Sequence, residues 1–199
     1  MKIDLQVHTT LGSPDSQIDP LALPHLCRDR GLDGVALTEH RQSSFQQIGQ
    51  LLASEGLLLI PAREVSCGGA HLLVLCEDEH LLETLTPLVS PEHPTLARED
   101  VAVIWAHPAA PSGSSAYAPS IRRDPAIEAI LSGVEVLNGR HLHFPEAVEG
   151  AESLASQTHL AATAGSDAHT DQDLGRCFTE IDCGLSEGAS GAIKAIRSG

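Results

Sequence analysis

Residues 3–9 read IDLQVHT, and this stretch predicts a strand that leads directly to a functional site. Apolar and polar residues alternate along it, which is the pattern of a strand with one apolar and one polar face. His8 lies at the carboxyl end of the polar row. The turn GSPD at residues 12–15 can bring the carboxylate of Asp15 back towards His8. The stretch therefore predicts a first strand that ends at metal-ligating side chains.

Other apolar runs end in the same way, in His, Asp or Glu. Three of them read VALTEH (residues 35–40), VAVIWAH (101–107) and LAATAGSDAH (160–169). A further apolar strand, predicted over residues 57–62, is followed by Arg63 and Glu64. Predicted strands alternate with helices almost throughout, which indicates an α/β fold with a largely parallel sheet. In such folds the functional site lies beyond the carboxyl ends of the strands.

His71 is different, because it begins a predicted strand (residues 70–76) instead of ending one. Either that strand runs antiparallel to its neighbours, or the ligand comes from a loop. Two further predictions concern the surroundings of the site. Ser43 and Ser44 are expected to cap a helix. Residues 108–119, which are rich in Pro, Ser and Ala, are expected to form a loop placed as a lid would be.

Length and composition are those of one globular domain, predicted to span residues 1–199. The mean hydropathy is -0.02. No apolar run approaches the roughly 20 residues of a membrane-spanning helix, so no membrane partner is expected. A cytoplasmic location is the expectation, since the sequence opens on a strand and not on an export signal. The 5 cysteines include no Cys-x-x-Cys pair and fit reduced thiols better than a disulfide framework.

The net charge of -15, from 27 acidic and 12 basic residues, would repel a long polyanion. Duplex nucleic acid is therefore not an expected partner. A small phosphorylated substrate, either a metabolite or a short nucleotide, fits this charge better. The sequence leaves the oligomeric state open.

Imidazole and carboxylate groups together suit zinc, manganese or iron, and a carboxylate such as that of Glu64 can bridge two ions. Two or three ions about 4 Å apart can clamp the attacking and leaving oxygens of a phosphoryl displacement. The pattern therefore predicts a hydrolase with two or three divalent metal ions.

A single histidine is more often a surface or core residue than a metal ligand, and only the joint placement of several histidines at strand ends favours a metal site. His141 and His143 follow a predicted strand and can line the pocket. The other histidines are interpreted as surface or core residues and not as ligands: His25, His80, His93 and His159.

These segments resemble motifs of the PHP (polymerase and histidinol phosphatase) family of metal-dependent phosphoesterases. Residues 4–9 (DLQVHT) are similar to its Asp-x-His-x-His-Thr motif, and residues 31–40 (GLDGVALTEH) to its Gly-Leu-Asp-x-x-Ala-x-Thr-Asp-His motif. Further similarities are REVS (63–66) with His71, AHP (106–108) and GSDAH (165–169). The resemblance spans nearly the whole chain, and it implies a compact, distorted (β/α)7-type barrel.

The resemblance also implies which residues hold the ions. The first ion would be held by His8, Glu64 and Asp167, the second by Glu64, His71 and His107, and the third by Asp15, His40 and His169. The implied activity is hydrolysis of a phosphate ester by a metal-bound hydroxide, with an arginine steadying the charge of the transition state. Arg41 and Arg140 are the candidates for this catalytic arginine, and Arg176 is a third.

Two positions depart from the family motifs. Gln6 stands where the first histidine of the pair belongs, and a neutral amide is a poor ligand for a transition metal, so the first site is expected to be weak or empty. Glu39 stands where the motif has aspartate, which adds one methylene group beside the third site. The alternative to an enzyme is therefore a degenerate metal- or phosphate-binding regulatory module. A metal-dependent hydrolase of C–N bonds is the third hypothesis.

Overall fold

The computed structural model of the protein describes residues 1–41, 43–108 and 124–199. The strands in these ranges are β1 (Lys2–Val7), β2 (Gly34–Glu39), β3 (Leu58–Cys67), β4 (Ala70–Cys76), β5 (Leu88–Val89), β6 (Val101–Ala106), β7 (Gly133–Asn138), β8 (Ala161–Gly165) and β9 (Thr179–Glu180). The α-helices are α1 (Leu23–Arg30), α2 (Gln46–Ser54), α3 (Glu79–Glu83), α4 (Pro125–Glu128), α5 (Pro145–Thr158) and α6 (Gly188–Ser198). Short 3-10 helices span Pro20–Ala22, Pro94–Ala97 and Leu185–Glu187. The loop predicted over residues 108–119 lies, apart from Pro108, outside the described residues.

The sheet follows the order β8-β7-β6-β4-β3-β2-β1-β9, with β5 paired beside β3. The pairs β1-β2, β2-β3, β6-β7 and β7-β8 are parallel, so the prediction of a largely parallel sheet is confirmed. The first strand also meets the segment after β8, because Val7 forms a parallel bridge with Ala168. The amide of His8 donates to the carbonyl oxygen of Ala168 at 3.0 Å. The sheet is thus a nearly closed barrel, and the predicted compact, distorted barrel is confirmed.

β4 runs antiparallel to both of its neighbours, β3 and β6. Its first residues therefore lie at the rim where the parallel strands have their last ones. His71 pairs with Ser66 of β3 and with Ala106 of β6, the residue that precedes His107. Of the two explanations for the position of His71, the antiparallel strand is the correct one.

The position of β6 between two apolar clusters explains why residues 101–106 are all apolar. Alternate residues of a strand point to opposite faces, and both faces of β6 are covered. Val103 and Trp105 belong to the apolar cluster on one face, and Ile104 belongs to the cluster on the other. That second cluster also contains Ile193 of α6. A strand covered on both sides is held rigidly, which fixes the position of His107 at its end.

The prediction that β3 ends at Ala62 is wrong. β3 continues to Cys67, because its second half pairs with β4 in a hairpin in which Glu64 faces Leu73. Gly68 and Gly69 form the turn with φ values of 58° and 90°, a conformation that favours glycine. Glu64 therefore projects from inside a strand, paired with β4 on one side, while on the other side β2 pairs with the residue before it and β5 with Ser66.

The predicted serine cap of the second helix is also wrong. The helix α2 begins at Gln46, and its N-cap residue is Phe45, whose amide donates to the carboxylate of Glu79 at 3.0 Å. A side chain from α3 thus accepts the hydrogen bond of the Phe45 amide, in place of the hydroxyl of a capping serine. No helix in residues 1–41, 43–108 and 124–199 is long and apolar enough to cross a membrane.

Candidate metal centre

Eight side chains meet at one rim of the barrel, and each has a nitrogen or oxygen atom within 3.6 Å of another member. They are the predicted ligands His8, Asp15, His40, Glu64, His71, His107, Asp167 and His169. Their convergence follows from the topology, since β1, β2, β6 and β8 end at this rim and the antiparallel β4 begins there. Three of the side chains form what we call the inner group, three form the outer group, and two lie between them.

The inner group consists of Glu64, His71 and His107. Glu64 Oε1 lies 2.8 Å from His71 Nδ1 and 3.4 Å from His107 Nε2. The side chain of Glu64 is 6% exposed and that of His107 is 7% exposed. One ligand atom from each residue lies within 4.8 Å of the others, a separation that a single cation can bridge.

The outer group consists of Asp15, His40 and His169. Asp15 Oδ2 lies 3.5 Å from His40 Nε2 and 3.3 Å from His169 Nε2. The side chain of Asp15 is 57% exposed and that of His40 is 35% exposed. The outer group therefore faces solvent, and a small molecule can reach the centre from its side.

His8 and Asp167 lie between the two groups. His8 Nε2 is 3.2 Å from Glu64 Oε2 and 3.5 Å from Asp167 Oδ1. The His8 ring also lies against the rings of His40 and His169, with centroid distances of 4.5 and 4.4 Å. Ligand atoms of these three histidines lie within 4.8 Å of one another. His8 is therefore close enough to share a cation either with Glu64 and Asp167 or with the outer histidines.

Two of these residues have a backbone conformation that is uncommon for residues other than glycine. The φ angle is 32° at His107 and 54° at Asp167. Such conformations persist where the surrounding structure enforces them, and they cluster at functional sites. At His107 the backbone amide donates to a buried carboxylate oxygen of Glu135 at 2.8 Å, which holds the residue in place.

The surroundings of Glu64 keep its carboxylate charged. Burial alone would raise the pKa of Glu64, but the close imidazoles of His107, His71 and His8 and the positive charge of His8 outweigh burial. The result is a pKa well below the usual range of a glutamate. A buried negative charge that faces several imidazoles is a suitable bridging ligand for two cations.

The same contacts raise the pKa values of two imidazoles. Burial would lower the pKa of His8, yet Asp167 and Glu64 raise it to about 10. Burial also opposes the shift at His107, where Glu64 raises the pKa to about 9. Both rings thus lie in a strongly negative field, and that field attracts metal cations as it attracts protons.

The ring nitrogens themselves fit coordination of a cation. His8 Nε2 and His71 Nδ1 are buried and have no hydrogen-bond partner among residues 1–41, 43–108 and 124–199. Oxygens of Glu64 lie 3.2 and 2.8 Å from them, but without the angles that a hydrogen bond requires. Buried nitrogens without hydrogen-bond partners are rare. Their lone pairs beside a buried carboxylate match the donor set of zinc, manganese or iron.

Gln6, the residue in place of the expected histidine, is fully buried and contacts another polar cluster. The side-chain amide of Gln6 lies 2.8 Å from Glu135 Oε1 and 3.1 Å from Glu135 Oε2. Asn138 donates to Glu135 Oε2 at 3.0 Å. Burial raises the pKa of Glu135 to about 8. Gln6 therefore stabilises the buried carboxyl group of Glu135, behind His107. An imidazole at position 6 would not offer the same amide contacts.

Glu135 is the main residue of the site region that the sequence analysis missed. It lies in β7, where its neighbours Val134 and Val136 are apolar. An acidic residue inside an otherwise apolar strand is the one signal that points to it, because an ionisable side chain is seldom buried without a partner.

Two other buried carboxylates hold the loops that carry the ligands. Asp4 accepts hydrogen bonds from the amides of Ser166 at 2.8 Å and Gly175 at 2.9 Å, and burial raises its pKa to about 6. These bonds fix the segment that carries Asp167 and His169. Glu39 is also fully buried, and its carboxylate accepts a hydrogen bond from Ser13 Oγ at 2.6 Å.

The three candidate arginines lie in different surroundings. Nη1 of Arg140 is 3.1 Å from His169 Nδ1, so this guanidinium lies at the outer group. Arg41 directly follows His40 and is exposed, and its backbone amide donates to the carbonyl oxygen of Gly12 at 3.0 Å. Arg176 forms an ion pair with Asp173 at 3.0 Å. Arg140 is therefore the arginine that contacts a predicted ligand.

The remaining histidines divide as follows. The ring of His141 lies 5.8 Å from that of His107, and the ring of His143 lies 4.2 Å from that of Phe144. His141 is thus beside the inner group, with His143 next to it at the surface. The four histidines assigned to surface or core lie elsewhere: His25 pairs with Asp29, His80 with Glu83, His93 precedes a 3-10 helix and His159 ends α5.

Solved bacterial structures share this fold. A two-domain protein from Bacteroides vulgatus that contains a predicted PHP-like metal-dependent phosphoesterase has a TM-score of 0.68 and 20% identity, over 99% of this chain and 63% of that one. This chain thus spans less than two thirds of that protein. An inferred metal-dependent phosphoesterase from Bifidobacterium adolescentis has a TM-score of 0.68 and 17% identity, over 90% and 93%. An amidohydrolase from Chromobacterium violaceum, with bound sulfate and no metal, has a TM-score of 0.61 and 15% identity, over 90% and 92%.

Sequence comparison adds a family match. No curated protein matches the chain significantly. Residues 145–199 match the family PHP_C, described as PHP-associated. This range begins at α5 and includes β8 together with Asp167 and His169. The resemblance to the PHP family is therefore confirmed: the chain forms a PHP-type barrel, and its C-terminal part carries a PHP-associated sequence pattern.

Proposed function

We propose that this chain is a metal-dependent phosphoesterase that hydrolyses an ester of a small phosphorylated metabolite or a short nucleotide. The observation that carries the proposal is the connected network of five imidazoles and three carboxylates at one rim of the barrel. Structures with the same fold include proteins named as metal-dependent phosphoesterases, which supports this class of reaction. At 15–20% identity those structures establish the fold alone, so the substrate is inferred from the site.

The two groups would hold one ion each. Glu64, His71 and His107 supply one carboxylate and two imidazoles on the inner side, and Asp15, His40 and His169 supply the same set on the outer side. Bound ions in these positions would polarise a phosphoryl oxygen and activate a water for attack. His8 and Asp167 lie between the groups, where His8 Nε2 would serve as a further ligand to an ion shared either with Glu64 and Asp167 or with the outer histidines.

Arg140 is proposed to stabilise the negative charge that develops on the phosphoryl group. Its Nη1 lies 3.1 Å from His169 Nδ1, but that nitrogen also lies 2.9 Å from the backbone oxygen of Asp167. Only a protonated Nδ1 can donate to a carbonyl oxygen, and a protonated Nδ1 cannot accept from a guanidinium. With that bond formed, His169 Nε2 faces Asp15 as a ligand, and the donors of Arg140 are available to an anion. Arg41, exposed beside the outer group, is the second candidate.

Access and charge favour a small substrate. The outer group is the exposed side of the centre, so an ester would enter there with its phosphoryl group between the ions. The acidic chain, with a net charge of -15, would repel duplex nucleic acid, whereas a compound with one or two phosphates needs only the local positive charge of ions and Arg140.

A regulatory module without catalysis is the alternative, and Gln6 is the residue that motivates it. Gln6 bonds to Glu135, so the first of the three ion positions implied by the family motifs lacks one ligand. Two ions suffice for a phosphoryl displacement, however, and both the inner and the outer group are complete. We therefore favour the enzyme with two ions.

Hydrolysis of a C–N bond is the third candidate, since one protein with this fold is named an amidohydrolase. That structure holds sulfate, an anion with the shape and charge of phosphate, which agrees with a phosphate site as well. The two lysines of the chain lie away from the rim: Lys2 stands over the ring of Phe178, and Lys194 is on α6. A bridging modified lysine, as in some C–N hydrolases, therefore has no residue to form it.

The first experiment is elemental analysis of protein purified without chelator, with turnover of phosphate esters followed on the same sample. Two equivalents of manganese, iron or zinc with turnover is the expected result. Less than one equivalent, with no turnover after metal is added, would leave the regulatory module as the better explanation. Gln6→His is then the next protein to prepare, because it restores the missing imidazole.

Two substitutions test the assignment of the centre. Asp167→Ala and His107→Ala each remove a predicted ligand and should abolish turnover. His25→Ala removes an exposed imidazole on α1 and serves as the matched control. Unchanged phosphatase activity in Asp167→Ala or in His107→Ala would refute the proposed site.

A further inference from the structure

A chain of buried hydrogen bonds connects Glu39 to the imidazole of His8 through the hydroxyl of Ser13. Ser13 Oγ lies 2.6 Å from Glu39 Oε2 and 3.2 Å from His8 Nδ1. All three residues have no solvent exposure. His8 points its other nitrogen, Nε2, at Glu64 and Asp167, so the chain ends at the centre of the candidate metal site.

The directions of these hydrogen bonds follow from the donors around Glu39. The backbone amide of Thr9 lies 3.2 and 3.3 Å from the two carboxylate oxygens, and an amide can only donate. The hydroxyl of Thr9 also bonds to Glu39 Oε1. A carboxylate that receives several donors on both oxygens accepts only, so the single hydrogen of Ser13 Oγ is donated to Glu39.

Ser13 Oγ then has only acceptor positions left. One of them receives the backbone amide of His40 at 3.2 Å, a bond whose direction is fixed. The other faces His8 Nδ1 at 3.2 Å, which must carry a hydrogen to make this contact. Nε2 is then the nitrogen whose lone pair is available to a cation.

We infer that Glu39 and Ser13 are positioning residues that hold His8 in the tautomer with hydrogen on Nδ1 and thereby present Nε2 as the metal ligand. The inference rests on the proposed function only in taking His8 as a ligand. It gives a role to Glu39, the residue that departs from the family motif, because its carboxylate orients Ser13 and not a metal ion. Partners of this kind, one step behind a ligand, commonly change metal affinity by about 10- to 100-fold.

The same serine ties two ligand-bearing segments together. It accepts from the amide of His40, at the end of β2, while it faces the ring of His8, at the end of β1. Loss of the hydroxyl should therefore affect the orientation of His8 first and the outer group second. This expectation separates a positioning role from a general loss of stability, which would weaken every part of the site together.

The test uses zinc-loaded protein with 15N-labelled histidine, in which NMR distinguishes the protonated nitrogen of a ring from the metal-bound one. Wild-type His8 should show a slowly exchanging hydrogen on Nδ1 and coordination through Nε2. In Ser13→Ala, that hydrogen should exchange rapidly, and the zinc dissociation constant should rise by about 10- to 100-fold. Ser16→Ala is the matched control, because the buried Ser16 hydroxyl bonds to the backbone oxygen of His8 at 2.8 Å and not to its ring.

Coordination through Nδ1 in the wild type, or equal effects of Ser13→Ala and Ser16→Ala on the His8 ring signals, would overturn the inference. If Ser13→Ala does not fold, Glu39→Gln provides the second variant and should also speed exchange of the Nδ1 hydrogen. The same exchange is measurable in metal-free protein, where rapid exchange in the wild type would overturn the inference whether or not zinc binds. Protein with the expected His8 signals and zinc affinity but no phosphate-ester turnover would instead refute the proposed function alone.

Discussion

The inner and outer groups contain the same chemical set, one carboxylate and two imidazoles, but they differ in burial and in connection. Glu64 is 6% exposed and has imidazole nitrogens of four histidines within 3.6 Å. Asp15 is 57% exposed and has two such histidines within that distance. The sequence gives no sign of this difference, since each carboxylate simply belongs to a motif. The fold creates it, because Glu64 projects from the middle of a strand and Asp15 from a turn.

This difference indicates a division of labour. The attraction between a cation and a buried carboxylate is screened less by water than at an exposed one, so the inner group should bind its ion tightly. An exposed carboxylate loses less when its ion departs, because water takes the place of the ion. The outer group should therefore exchange its ion more readily and receive the substrate.

The largest effect is expected from Glu64→Gln, which removes the charge shared by both groups but keeps the size of the side chain. Because Glu64 contacts four imidazoles, metal content should fall at both groups and turnover should fall by more than about 100-fold, the upper range for residues one step behind a ligand. Elemental analysis and steady-state rates with a phosphate ester measure the two effects. Loss of one equivalent only, with most activity retained, would show that Glu64 does not connect the groups.

Asp15→Asn should have a smaller effect, confined to the outer group. The exposed carboxylate contributes to one ion, and the amide keeps an oxygen that can act as a weak ligand. We expect the inner equivalent of metal to remain and the outer one to be lost on dialysis, with added metal restoring most of the turnover. An Asp15→Asn protein that loses both equivalents, as Glu64→Gln should, would contradict the difference between the groups.

The fold and the convergence of the ligands could be predicted because both depend on periodic patterns and on strand ends. His8, His40 and His107 each end an apolar run, and parallel strands bring such ends to one rim. The hairpin that buries Glu64 was not predicted, because a strand that continues past Arg63 depends on pairing with β4, which is a tertiary interaction.

The residues behind the ligands were harder to predict for a different reason. Ser13, Glu39 and Glu135 act through side-chain hydrogen bonds to residues far away in the sequence, and local patterns contain no information about such partners. The similarity to a family motif marked Glu39 as unusual but did not say what it contacts. Only the folded arrangement, in which its carboxylate reaches Ser13, identifies its role.

The smallest effect is expected at Glu135, the carboxyl group behind the inner group. There the stability of the protein, and not its activity, should depend on pH. Burial raises the pKa of Glu135 from 4.5 to about 8, so between these values the folded protein keeps a proton that the unfolded chain has released. The free energy of unfolding must then fall as pH rises through this window, by at most about 1.4 kcal/mol per pH unit.

The Glu135→Gln protein cannot titrate at this position, so between pH 5 and pH 9 it should lose less stability than the wild type. The control is Glu152→Gln, which replaces an exposed glutamate on α5 and should follow the wild type. His8 and His107 also lose stabilising protons at high pH. Because the charge of Glu135 contributes to the raised pKa of His107, the difference between the wild type and Glu135→Gln measures Glu135 together with its coupling to His107. Urea unfolding of the metal-free proteins measures the three curves, and parallel curves for the wild type and Glu135→Gln would mean that Gln6 and Asn138 already stabilise a charged carboxylate in the folded protein.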